Sequence, residues 1–488
     1  MDWFSAPDYW LSRLVFQRLL GAIYLIAFVS TLNQFRPLLG ADGLLPVPRF
    51  LRAASFKQAP SIFHLHYSDG FAMAAAWAGI VLSSAVVVGL VEQGPLWVSM
   101  LVWFALWALY LSFVNVGQAF YGFIWETLLL EAGFLAIFLG DARTAPPLLV
   151  ILLVRWLLVR LELGAGLIKL RHDHSWRDLT ALDHHHETQP LPNPFSRCFH
   201  RLPAPLHRVE VAASHVAQLV LPFGLLLPQP VARVTGALIV VTQVWLILSG
   251  NYAWLNLLTI ALAVSSFDNG FLGDILPFRA PSLAAPPPWF NLTVVALTVV
   301  MAVLSYWPVR NMASSRQVMN YSYNPLRLVN TYGLFGTVTK QRYEVSVEGT
   351  DEPEPGPDAT WKEYEFKAKP GHPKRRPHQV APYHLRLDWL MWFLPLSRHF
   401  AQGWFLAFLV KLLRGDAATS KLLRQDPFRH RPPTFVRARL YRYRFATRQE
   451  RRSSGAWWSR ELVGEYLPPL TLDDRVAADP GDRSAQHA

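Results

Sequence analysis

At 488 residues, with 52% hydrophobic but only 16% charged side chains and 19 tryptophans, the chain has the composition of a polytopic membrane protein carrying soluble parts, not of a single soluble domain. The net charge of +12 is uneven, since the stretch from Arg310 onward holds 29 Lys+Arg against 18 Asp+Glu; beside a bilayer such a tail fits anionic lipid head groups, and no nucleic-acid recognition motif accompanies it. Cys198 is the single cysteine, which excludes an intrachain disulfide and a cysteine-based zinc site.

The opening MDWFSAPDYW lacks a basic segment followed by a small-residue cleavage site, so the first apolar helix is expected to stay as an anchor. That first span covers 14–31, with Arg18 able to snorkel or pair. The loop 32–70 follows, where Gly40, Gly43, Pro46 and Pro48 mark irregular backbone. Further spans are expected at 71–91, 96–114 and 121–140, the last carrying Glu126 and Glu131. A fifth, 147–170, carries Arg155, Arg160, Glu162 and Lys169. A charge at bilayer depth costs about 2.5–3.5 kcal/mol on insertion scales, so these groups should face other helices or a wet cavity. Arg155 or Arg160 are the expected partners of Glu126 and Glu131, and Arg155 and Glu162 lie two turns apart on one face. The plain reading is an ion-pair network that fixes helix packing. The sharper one is an active site at the membrane surface with Lys169 as its base.

Spans at 207–227, with Glu210 and His215, and at 231–250, 254–267 and 290–307 bring the expected total to about nine. That parity sends 32–70, 171–208 and the C-terminal region to one face, opposite the N-terminus. Lysines and arginines in those loops favour the cytoplasm for it. The chain thus divides into a transmembrane helical domain (1–309), a β-containing, membrane-associated C-terminal domain (310–470) and a polar, disordered tail (471–488). In the second part, 343–350 and 361–370 alternate polar and apolar residues around an acidic, Pro-rich turn and predict a β-hairpin. Residues 435–445 alternate likewise, with arginine outermost, and 385–413 is expected to form two short helices on the membrane or on the sheet.

Chemistry concentrates between Gly164 and Pro194. His172, His174, His184, His185, His186, His200 and His207 lie near Asp173, Asp183 and Glu187, a set of zinc-competent donors whose spacing matches no defined site, so no metal is assigned. Nucleophile-elbow, Walker, zincin and dinucleotide motifs do not occur in the chain. Lys169 has two readings. A lysine amine desolvated against hydrocarbon can take a proton from a bound quinol or thiol, or it simply snorkels beside Arg171.

The run GLIKLRHDHSWRDLTALDHHHETQPLPNP, with NTYGLFGTVTKQRYEVSVEGT, WKEYEFKAKPGHPKRRPHQVAPYHLRLDWLMWF and the early LLGADGLLPVPRFL, resembles the lipase maturation factor family over residues 9–466. The resemblance implies a multi-span protein that, in animals, resides in the endoplasmic reticulum membrane and helps dimeric lipases reach their active, secreted form through its loops and C-terminal domain. Trp176, Asp178, Leu179, Thr180, His186, Glu187, Thr188, Gln189, Pro190, Pro192, Asn193 and Pro194 match the family's loop pattern. Tyr332, Gly333, Leu334, Phe335, Gly336, Arg342, Tyr343 and Glu344 match its C-terminal one. With one cysteine, thiol exchange with a client is not expected, and the Ala-, Arg- and Pro-rich usage points to a bacterial cell membrane. A shorter stretch, AGLIKL before a Trp-containing loop, is similar to the vitamin K-dependent γ-glutamyl carboxylases and their horizontally transferred transmembrane relatives. That likeness implies Lys169 as base on a quinol-type lipid, within a polar shell of Glu126, Glu131, Arg155, Arg160, Glu162 and His186. The first expectation is a non-enzymatic assembly factor without a cofactor, whose partners are a client such as a lipase and membrane lipids, not nucleic acid; the membrane enzyme is the alternative.

Overall fold

A computed structural model of the chain describes residues 4–397 and 403–473. Helix α1 (Trp10–Leu39) extends past both ends of the expected first span and stops at Gly40. Helix α2 (Asp69–Val88) starts where Ser68 Oγ accepts from the Phe71 amide at 3.0 Å and ends at Gly89, whose φ of 82° suits glycine. The two helices pack closely because small residues face the contact: a Cβ on Gly79 would lie 2.5 Å from the Phe28 ring. Helices α3 (Leu96–Val116), α4 (Ile124–Ala136) and α5 (Leu148–His172) complete the first half.

After the His-rich connector, which holds the short α6 (Leu182–Thr188), come α7 (Ala204–Leu219), α8 (Val231–Ser249), α9 (Leu255–Val264) and α10 (Pro288–Ala313). Where about nine spans are expected, five helices among the described residues are long and apolar enough to cross a membrane, those at α1, α2, α3, α8 and α10. Helix α5 is long enough, but its charges set it apart. Helices α4 and α9, with 13 and 10 residues, cover roughly 20 Å or less at about 1.5 Å per residue, short of the roughly 30 Å hydrocarbon core. Pro222 closes the amide ladder after α7, so the sixth expected span is broken. The apolar helices make this an integral membrane protein.

Beyond Ala313 an irregular segment returns across α5: a Cβ on Gly164 would lie 2.3 Å from the Tyr332 carbonyl oxygen, so only glycine admits the chain there. Strand β1 (Arg342–Thr350) then pairs with β2 (Lys362–Glu363), as the hairpin pattern predicts, although β2 is only two residues long. Two helices follow, α11 (Arg386–Phe393) and α12 (Trp404–Leu413), then β3 (Phe435–Phe445) and β4 (Trp458–Leu470). The sheet is antiparallel in the order β2-β1-β3-β4. Alternation in β1 predicts one wet face, yet its polar residues Glu344, Ser346 and Glu348 are buried too. Glu344 is matched by Arg342 at 2.5 Å and Lys369 at 3.0 Å, and Glu348 by Arg437 at 2.8 Å. Arg442 and Arg444 likewise meet Glu461 and Glu450, so much of the basic surface is neutralised within the fold. Most of the tail expected beyond 470 lies outside the described residues.

Candidate functional site

The intramembrane charges resolve into separate pairs. Glu131 and Arg160 pair as expected, and the pair is closed from outside the helices: Glu131 accepts from the Asn330 amide at 3.1 Å and the Tyr332 hydroxyl at 2.7 Å, while Arg160 donates to the Asn330 carbonyl at 2.9 Å. Glu126 pairs with neither expected arginine. Its partner is Arg386 of α11, 2.5 Å away, which also donates to the Phe120 carbonyl at 2.9 Å and lies over the Tyr121 ring. Tyr110 donates to the same carboxylate. His384 Nδ1 stands 3.5 Å off, but burial pushes this imidazole down to about 4, so it is neutral and the arginine carries the charge. Arg155 donates instead to the carbonyls of Ser265, at 2.8 and 3.0 Å, and Leu225, at 3.2 Å. These are free helix-end carbonyls, which a guanidinium satisfies without a carboxylate. Arg18 pairs with Glu92 and donates to the Val86 and Val87 carbonyls, closing the C-terminus of α2.

The connector motif forms a dock for the C-terminal sheet. Gln189 is buried, donating to the Ser249 carbonyl at 2.9 Å and accepting from the Tyr252 hydroxyl at 2.7 Å, which fixes the connector on the end of α8. Asn193 accepts from the Ser196 amide at 2.9 Å and donates to the Leu248 carbonyl at 3.0 Å. Thus held, the backbone presents a row of carbonyls. Arg342 donates to those of Glu187 at 2.9 Å, Gln189 at 2.5 Å and Pro190 at 3.0 Å, and Trp392 to that of Thr188 at 2.9 Å. Glu187 in turn accepts from the Phe445 amide at 2.6 Å, and burial holds its carboxyl above the usual range. Trp176 donates to the Phe335 carbonyl at 2.8 Å, and Gly336 packs against Ile168 of α5. Pro190 and Pro192 are buried and Pro194 is half-buried, while Asp178 stays exposed and Tyr343 donates to Gln341, at 2.7 Å.

Among the described residues no three His, Cys, Asp or Glu side chains converge as a metal site would require. His207 is bound between Asp183 at 2.8 Å and the Phe199 carbonyl at 3.0 Å, and burial pushes His185 well below its ordinary value beside the Tyr252 hydroxyl.

Lys169 and Glu162 line a cavity of about 440 Å³ between α5, α7, α8 and the connector; Arg155 is not part of it. Lys169 Nζ lies 4.4 Å from the Trp176 ring centre and 3.4 Å from Ser214 Oγ. Glu162 accepts from Gln243 at 3.2 Å, and Gln243 accepts from Asn256 at 2.8 Å. Neither charge forms an ion pair among the described residues, so the Arg155–Glu162 pairing is not present. The sequence reading missed Arg386 and His384, whose one signal was an arginine opening an otherwise aromatic helix.

Two family models match the chain, Lipase maturation factor transmembrane domain over residues 11–274 and Lipase maturation factor C-terminal domain over 328–468. The chain is 41% identical to Lipase maturation factor 1 of Mus musculus, covering 96% of this chain and 88% of the relative, and 40% identical to that of Homo sapiens, covering 96% and 89%. It is 30% identical to Lipase maturation factor 2 of Xenopus laevis, covering 95% and 83%. No solved structure matches it. Near-complete coverage of both regions, by relatives of this identity, makes the chain a member of the lipase maturation factor family.

Proposed function

We propose that the protein is a membrane-embedded maturation factor that holds a lipase, or a related secreted or membrane client, while it folds. The observation that carries this reading is likeness along 96% of the chain to relatives named for lipase maturation, spanning the membrane helices and the C-terminal sheet together. The docked connector supports it: a client-holding surface built from two chain regions needs them fixed to one another, and Arg342 bridges three connector carbonyls. The reading takes the bacterial cell membrane as location and anionic lipids as neighbours of the exposed basic residues.

The test is co-expression of a lipase with this chain in a host that lacks a maturation factor, reading secreted lipase activity against lipase protein. Specific activity should rise with the chain present and fall back with Arg342→Ala. Unchanged specific activity, with the chain abundant in the membrane, overturns the proposal. A second reading, a membrane enzyme with Lys169 as base on a quinol-type lipid, is favoured by one observation: the amine lines a cavity without a carboxylate partner. Loss of quinol turnover in Lys169→Met with lipase maturation intact would support it; maturation lost together with dock contacts but indifferent to Lys169 supports the platform.

A further inference from the structure

The cavity between α5, α7 and α8 has two kinds of wall. On the bilayer side it is bounded by Leu206, Val209 and Val241, apolar side chains that are also exposed on the outer surface of α7 and α8, so the cavity opens where lipid tails lie. On the inner side it meets Glu162 and Lys169, two turns apart on α5, buried and unpaired with each other. Unpaired buried charges are costly, and sequences keep them where something else supplies the partner. Gln218 Oε1 is buried in the same wall with no protein hydrogen-bond partner, its residue 8% exposed, while His186 there faces the Glu210 carboxylate at 3.5 Å. The site therefore offers an amine donor at one end, and acceptors, Glu162 and Gln218, at the other.

We propose that this cavity is a bilayer-fed binding site for a single-chain, uncharged lipid with a hydroxylated head, of the monoacylglycerol class. Hydroxyls both donate and accept, so one glyceryl head can accept from Lys169 and donate to Glu162 or Gln218. A fatty carboxylate satisfies the lysine but, accepting only, has no hydrogen to give Glu162 or Gln218, and a zwitterionic head brings two hydrated charges into apolar walls. A cavity of about 440 Å³ takes one chain, not two, and lies in the size range of ligand pockets, about 300–1,000 Å³. The chain leaves between α7 and α8. Neither the client nor the quinol reading is needed for this inference, and its assay contains no lipase.

The full-length protein in lipid nanodiscs is labelled with photoactivatable monopalmitoylglycerol, and labelled peptides are read by mass spectrometry. Saturable labelling of α5, α7 and α8 is expected, competed by unlabelled monopalmitoylglycerol. Ala217→Phe, which fills the cavity from α7, should weaken labelling about tenfold or more, and Lys169→Met several-fold, at unchanged thermal stability. If Ala217→Phe does not fold, the competition series on the unsubstituted protein decides. Competition by hexadecane as good as by the glyceryl lipid, or better competition by palmitate, lysophosphatidylcholine or a quinol, overturns the head-group assignment; labelling outside these helices overturns the site. Lipase maturation, measured separately, can survive or fail in either case.

Discussion

Replacing Arg386 by methionine should detach the C-terminal region from the membrane helices. The guanidinium lies 2.5 Å from Glu126 and 2.9 Å from the Phe120 carbonyl, and both side chains of the ion pair are fully buried. Removing one member of such a pair leaves an uncompensated charge and costs about 3–5 kcal/mol, a large share of the roughly 5–15 kcal/mol that holds a typical protein folded. Arg386→Met in detergent should therefore lower the unfolding midpoint and open 385–470 to trypsin while the apolar helices remain protected. Pairing it with Glu126→Leu removes the stranded carboxylate, and the double variant should regain much of the loss, because two apolar residues of similar volume are often neutral relative to a buried pair. A single variant with an unchanged midpoint and protease pattern, or a double variant no better than the sum of its parts, would refute the reasoning.

Arg342→Ala should cost on the order of 2–4 kcal/mol, because three connector carbonyls lose their donor while Lys369 still serves Glu344; hydrogen exchange across 187–190 should rise, and protected amides there would contradict the dock. Gly79→Ala should cost about 1–3 kcal/mol by pressing a methyl into the Phe28 ring, whereas Gly356→Ala, with nothing within 4 Å, should be silent in the same melting assay. Burial, aided by His186 and His207, pushes His200 down to about 4 from its ordinary 6.5. The unfolded chain thus binds the proton first on acidification, so the stability this group contributes is intact above pH 6.5 and is lost between 6.5 and about 4. From pH 7.5 to 5 that amounts to about 2 kcal/mol, and His200→Phe should shrink the acid-induced drop in melting temperature by a matching amount; an identical drop in both proteins counts against it.

What the sequence made legible were features written in local pattern. Glu131 and Arg160 sit on consecutive apolar runs, and their pairing follows from the cost of a lone charge in hydrocarbon. Alternation located β1 and β3, and the Pro- and Gly-broken aromatic stretch gave α11 and α12. Glu126 was assigned the wrong partner because Arg386 is 260 positions away in the chain, and no periodicity carries such a contact. Strand β4 escaped notice because ELVGEYLPPL neither alternates cleanly nor lacks proline; it forms at the edge of the sheet, where register shifts against β3 absorb the irregularity. Five helices among the described residues, against about nine expected spans, are long and apolar enough to cross, because apolar composition does not reveal helix length, and α9 is short and largely buried. Of the candidate site, Lys169 and Glu162 were visible as charges out of place, but Gln218 and Gln243 were not, since a glutamine in a helix carries no such signal.

The seat of Arg386 beside Glu126 sets an order of events during synthesis. The carboxylate enters the membrane early, and its counter-charge leaves the ribosome only after some 260 further residues have been made. Until then the first half can offer Glu126 the Tyr110 hydroxyl but not the arginine that balances its charge. Completion of this buried pair thus waits until translation has passed residue 386, and a nascent chain stalled before it lacks the arginine of the finished arrangement.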